Sequence, residues 1–105
     1  MKVTIMLVCA AGMSTSLMVE KMKKAAENKG IEADIFAVSS GEADNYLESK
    51  KIDVLLLGPQ VRFMKSKFEE KVEQYNFALD IIPMVDYGMM NGEKVLDQDI
   101  NLLNQ

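Results

Sequence analysis

Apolar residues along the chain switch between two spacings. Val3-Thr4-Ile5-Met6-Leu7-Val8 is a nearly unbroken apolar run, the pattern of a strand covered on both faces. Cys9 to Ser16 is small and polar and reads as a loop. Met18, Val19, Met22, Ala25 and Ala26 then recur at helical spacing, with Lys21, Lys23 and Lys24 as a solvated opposite face. Gly30 is a natural stop. Ile31–Val38 reads as a second strand, more polar and nearer an edge. Ser39-Ser40-Gly41-Glu42 has the form of a capping box, with Ser39 as N-cap and Glu42 three positions in. Ala43, Tyr46 and Leu47 give the short helical face that follows. Ile52–Leu57 is the second strongly apolar strand, broken by Gly58-Pro59-Gln60. Met64, Phe68, Val72 and Tyr75 predict a third helix, and Phe77–Ile82 a fourth strand stopped by Pro83. A loop with Asp86, Tyr87 and Gly88 leads to a last helix carrying Val95, Leu96, Ile100 and Leu103.

This βαβαβαβα order predicts an α/β fold: a four-stranded parallel sheet with helices on both faces. The two most apolar strands belong in the centre. Sheet order 2-1-3-4 puts them side by side, with the topological switch point at the end of the first strand, where Cys9 stands. With 105 residues the chain reads as one domain over positions 1–105.

Composition then removes whole classes of chemistry. There is no histidine, so no histidine triad, no histidine metal site and no phosphohistidine on this chain. One cysteine allows neither an intrachain disulfide nor a zinc ribbon. Neither metal nor organic cofactor is expected, since Walker A, GxGxxG and CxxC patterns are all absent. A net charge of −4 argues against a nucleic-acid partner. The apolar start is too short for a signal peptide, and no run approaches the roughly 20 apolar residues of a membrane span. A lone thiol without a secretory signal points to the cytoplasm.

Chemistry concentrates in Cys9-Ala10-Ala11-Gly12-Met13-Ser14-Thr15-Ser16-Leu17, between the best strand and the best helix. Small residues let several backbone N–H groups converge, Gly12 permits positive φ, and the helix N-terminus adds positive partial charge. Residues Ala10, Ala11, Gly12, Met13, Ser14, Thr15 and Ser16 would thus form a cradle for a dianion, with Cys9 as the nucleophile. The same donors favour the thiolate that would receive a phosphoryl group. Three or four of them, at about 1.5–3 kcal/mol each, would hold the dianion without lysine or arginine.

A cysteine phosphatase of the low-molecular-weight type requires arginine six places after its cysteine, and here that position is Thr15. The phosphoryl group should therefore be accepted and held rather than hydrolysed. The alternatives are such a phosphatase, or a non-catalytic anion-binding regulatory module.

These residues resemble the IIB component of bacterial sugar phosphotransferase systems, in the lactose/cellobiose family and its cellobiose/chitobiose/lichenan-type branch. The similarity lies in V-C-A-A-G-M-S-T-S-L at Val8–Leu17 and D-V-L-L-L-G-P-Q-V at Asp53–Val61. It implies a fold similar to low-molecular-weight tyrosine phosphatases. It also implies that Cys9 takes a phosphoryl group from a histidine of a IIA protein and passes it to a sugar, cellobiose or another β-linked disaccharide, bound by a membrane IIC transporter. The chain itself would be a monomer that does not enter the membrane. The rim touched by both partners reads as Met13, Leu17, Pro59, Gln60, Val61, Asp86 and Tyr87. The single arginine, Arg62, is placed either to meet a phosphate or partner carboxylate or to start a helix in solvent, and the sequence does not separate these.

Overall fold

A computed structural model describes residues 2–9 and 13–103, with side chains except at positions 13–15. Strand β1 (Lys2–Cys9) is followed by α1 (Met13–Lys29), β2 (Glu32–Ser39), α2 (Ala43–Ser49) and β3 (Val54–Leu57). A 3-10 segment (Pro59–Met64) leads into α3 (Lys65–Tyr75), then β4 (Ala78–Ile81), α4 (Met84–Gly88) and α5 (Gly92–Leu103). The sheet has the expected order β2-β1-β3-β4. Every pairing is parallel, with Cys9 opposite Ser39, Val8 opposite Leu57 and Leu57 opposite Ile81.

The continuous apolar run of β1 is explained by a core on each side of the sheet. Val3, Ile5 and Leu7 face one layer with Met18, Met22, Ile82, Val95 and Leu96. Met6 and Val8 face the other with Val38, Leu47, Leu57, Phe68 and Phe77. Each fully buried large aliphatic contributes roughly 1.5–3 kcal/mol relative to exposure. The alternating side-chain direction of a strand sends the two sets to opposite faces.

Three local expectations change. The capping box does not form: Ser40–Glu42 are a turn, helix α2 begins at Ala43, and no side chain caps it. Ser39 is instead the last rung of β2, opposite Cys9, and its carbonyl accepts the Glu42 N–H at 3.0 Å. Sheet pairing thus outcompetes the local cap. Between β3 and α3, Pro59 opens a 3-10 segment whose Val61 is non-helical, so the third helix starts only at Lys65. Asp86, Tyr87 and Gly88 lie in the short helix α4 rather than in a loop. Gly30 ends α1 as expected, at φ +69°.

Candidate functional site

Cys9 closes β1 at the C-terminal end of the sheet, and β1 is the strand from which the order runs to β2 on one side and to β3 on the other. It is 3% exposed. Val8 points into the layer with α2 and α3, so strand alternation turns Cys9 to the opposite face, the side of α1. The backbone on both sides holds it. The Ser40 N–H donates to the Cys9 carbonyl, and the Gly58 N–H donates to the Val8 carbonyl, each at 2.9 Å. The turns after β2 and β3 are thereby fastened to the end of β1.

Gly58 shows how close the second wall comes. A Cβ added there would sit 3.7 Å from the Cys9 Cβ, 3.5 Å from the Val8 carbonyl oxygen and 3.3 Å from Gln60 Oε1. The amide of Gln60 therefore lies over Gly58, in the same neighbourhood as Cys9. The position of Gly58-Pro59-Gln60 beside the cysteine, expected from strand order, is what the structure shows. Helix α1 begins at Met13, four residues after Cys9, so its N-terminal amides are close to the thiol in sequence and in topology. Ala10, Ala11 and Gly12 lie outside the described residues, as do the side chains of Met13, Ser14 and Thr15. Ser16 is exposed in the opening turns of α1.

The rim differs from its sequence expectation. Leu17 and Gln60 are exposed and can meet a partner. Pro59 and Val61 are buried, because the 3-10 segment turns them onto the layer with α3. Tyr87 is buried at 7% exposure in the layer with Met18 and Ile82, so it is a core residue rather than a rim residue. Asp86 is half-buried and lines a groove with Asp80, Lys94, Asp97 and Gln98, between β4 and α5 and without Cys9. Arg62 is exposed on the 3-10 segment. Phe63, Met84 and Val85 are exposed residues at this end that periodicity did not single out. Their signal was available: Phe63 falls off the Met64–Phe68–Val72 stripe, and Met84-Val85 is an apolar pair outside any helical repeat.

Among the described residues no group of three or more acidic, cysteine or histidine side chains is arranged to hold a metal. No described helix is long and apolar enough to cross a membrane.

Known proteins are similar to this chain in sequence and in fold. A family model described as the lactose/cellobiose-specific IIB subunit of the PTS system matches residues 4–98. The cellobiose-specific EIIB component of Lactococcus lactis subsp. lactis (strain IL1403) is 54% identical over 103 residues, covering 95% of each chain. The galactose-specific EIIB component of Lactococcus lactis subsp. cremoris (strain MG1363) matches to the same extent, 54% over 103 residues and 95% of each chain. The solution structure of the cellobiose-specific phosphotransferase IIB component of Borrelia burgdorferi superposes with a TM-score of 0.78 at 42% identity, covering 99% of this chain and 94% of that one. The chain belongs to the lactose/cellobiose-specific IIB subunits of the sugar phosphotransferase system, phosphoryl carriers that act between a IIA protein and a membrane IIC component.

Proposed function

We propose that Cys9 is the residue that carries the phosphoryl group, with the backbone N–H groups of residues 10–16 as its cradle. The observation that supports this most directly is the position of the lone cysteine. It ends a central strand at the switch point of the sheet, with Gly58 against it and the start of α1 four residues on. In the first step the Cys9 thiolate attacks phosphorus, the N–P bond of the donor phosphohistidine breaks, and its electron pair returns to the imidazole. In the second step a sugar hydroxyl attacks phosphorus, the S–P bond breaks, and sulfur leaves as thiolate while the hydroxyl proton passes to a base or to water. Thiolate serves as nucleophile first and as leaving group second.

Residues 1–105 act as one IIB domain, a cytoplasmic monomer. A thiol that must be regenerated in every cycle suits a reducing compartment. The sugar is cellobiose or another β-linked disaccharide. Its choice belongs to the IIC pocket, since relatives named for cellobiose and for galactose are equally similar to this chain. Incubation with histidine-phosphorylated IIA protein should add one phosphoryl group, mapped to Cys9 by mass spectrometry. The Cys9→Ala variant should remain unlabelled. Undiminished labelling of that variant, mapped to another residue, defeats the assignment.

A further inference from the structure

Asn91 is the one asparagine of the chain that is followed by glycine. The others precede Lys29, Tyr46, Phe77, Leu102 and Gln105, whose side chains hinder the amide nitrogen that follows the asparagine. Glycine has no Cβ, so nothing on Gly92 keeps its nitrogen away from the Asn91 side-chain carbon. Asparagine is thermolabile because the next backbone nitrogen can attack that carbon, and glycine in the next place hinders the attack least.

The fold holds this pair in an unreactive arrangement. The Lys94 N–H donates to Asn91 Oδ1 at 3.1 Å, so the side chain is engaged as the cap of α5. The Gly92 N–H, whose nitrogen would attack, donates to the Met90 carbonyl at 3.0 Å. The Val95 N–H donates to the Asn91 carbonyl at 3.2 Å, the first bond of the helix. Gly92 is buried against the backbone of Lys21 and Met22 in α1. The arrangement is nevertheless poised to open. Met90 holds φ +52°, a strained value for a residue with a side chain. Helix α4 before it has only five residues. Met89, Glu93 and Lys94 around it are exposed. A short, strained and solvated turn opens at less cost than the whole fold.

We propose that Asn91–Gly92 is a covalent modification site, where the chain deamidates spontaneously through a cyclic imide when the turn at Met90 opens, and that the isoaspartate formed there releases α5 from its cap. Hydroxide removes the Gly92 amide proton, and the nitrogen attacks Cγ of Asn91. The N–Cγ bond forms, the Cγ–Nδ2 bond breaks, and ammonia leaves with a proton from water. Water then adds to one of the two imide carbonyls and breaks its bond to nitrogen. Addition at Cγ gives aspartate. Addition at the main-chain carbonyl gives isoaspartate, in which the chain runs through Cβ and Cγ. One water is consumed and one ammonia released, and Cys9 takes no part.

The two products differ in what they do to α5. Aspartate keeps an oxygen for the Lys94 N–H and places negative charge at the helix N-terminus, where it is favoured. Isoaspartate lengthens the main chain by one carbon and displaces both acceptors, the one used by Lys94 and the one used by Val95. Gly92 then loses its seat against Lys21 and Met22.

The test is ageing of the purified chain at one pH near neutrality, folded and, in parallel, unfolded in guanidinium chloride. Peptides are then mapped by mass spectrometry with fragmentation that separates isoaspartate from aspartate. In the folded protein isoaspartate should accumulate at position 91 ahead of every other asparagine. It should form there roughly tenfold or more slowly than in the unfolded chain, because the turn must open first. The isoaspartate-rich fraction should melt about 4–8 °C below fresh protein, the shift expected for loss of one helix cap. Asn91→Asp should melt with the parent. Asn91→Ser, which retains a capping oxygen, should form no isoaspartate there and keep its Tm on ageing. Absence of isoaspartate at position 91, or its formation first at another asparagine, overturns the site. Equal rates in the folded and unfolded chain overturn its control by the turn. An isoaspartate-rich fraction that melts with fresh protein overturns the release of α5.

Discussion

Asp99 illustrates what one residue does that periodicity does not reveal. It lies on the inner face of α5 with Gly92, Val95 and Leu96, is 0% exposed, and neither carboxylate oxygen has a hydrogen-bond partner. Burial first, and then the nearby Asp80 carboxylate, push its pKa from 3.8 up to about 8. The folded protein thus keeps a proton that the unfolded chain has already released. Stability from this group is fully present below pH 4 and is lost as pH rises through about 8. Asp99→Asn should leave stability near pH 4 unchanged and raise it by a few kcal/mol at pH 8, roughly 10 °C in Tm. Melting curves at the two pH values check this; equal gains at both would exclude proton linkage as the cause. Asp99 follows Val95 and Leu96 at helical spacing, so its direction was implicit in the stripe. Its burial was not legible, because a lone carboxylate in a helical pattern ordinarily faces water. Cys9 is the opposite case: its place at the end of an apolar strand was legible from its neighbours in sequence.

At the scale of elements, the connection from α4 to α5 is set by contacts far apart in sequence. Met90 adopts φ +52°, uncommon for a residue with a side chain, while that side chain packs on the layer with α1 and α5. The turn is held by the Met90 N–H on the Tyr87 carbonyl at 3.1 Å and the Asn91 N–H on the Asp86 carbonyl at 2.9 Å. It delivers Gly92 against α1, where an added Cβ would stand 2.5 Å from the Lys21 carbonyl carbon and 2.7 Å from the Met22 nitrogen. Those are backbone atoms and cannot step aside. Gly92→Ala should therefore separate α1 from α5 and cost about 2–3 kcal/mol, near 10 °C in Tm, measurable by thermal denaturation. A variant as stable as the parent would show that the helices do not need this approach. The alternation of strand and helix was visible from spacing alone, whereas α4, the 3-10 segment and the late start of α2 were not. Each of these three occupies a stretch where local spacing is weak and the surrounding sheet imposes the path.

For the molecule as a whole, the balance between carrying and hydrolysing a phosphoryl group follows from one substitution of residue type. Thr15 stands where a low-molecular-weight cysteine phosphatase has its arginine, so the cation that stabilises attack by water is missing. S-phosphorylated protein, freed of IIA, should persist orders of magnitude longer than a phosphatase intermediate, and its loss can be timed by intact-mass measurement. Rapid spontaneous release of inorganic phosphate would favour the phosphatase alternative. Residue order alone determined the sheet order, the central strands and the place of the lone cysteine at the switch point, because buried parallel strands must be apolar on both faces and strand order reverses beside the first strand. Tertiary structure decided which residues of the connecting segments face water. Pro59, Val61 and Tyr87 turn inward while Phe63, Met84 and Val85 turn outward. The direction of a side chain on a short connecting segment is chosen by the sheet and helices it must bridge, and that choice is a long-range packing outcome absent from local spacing.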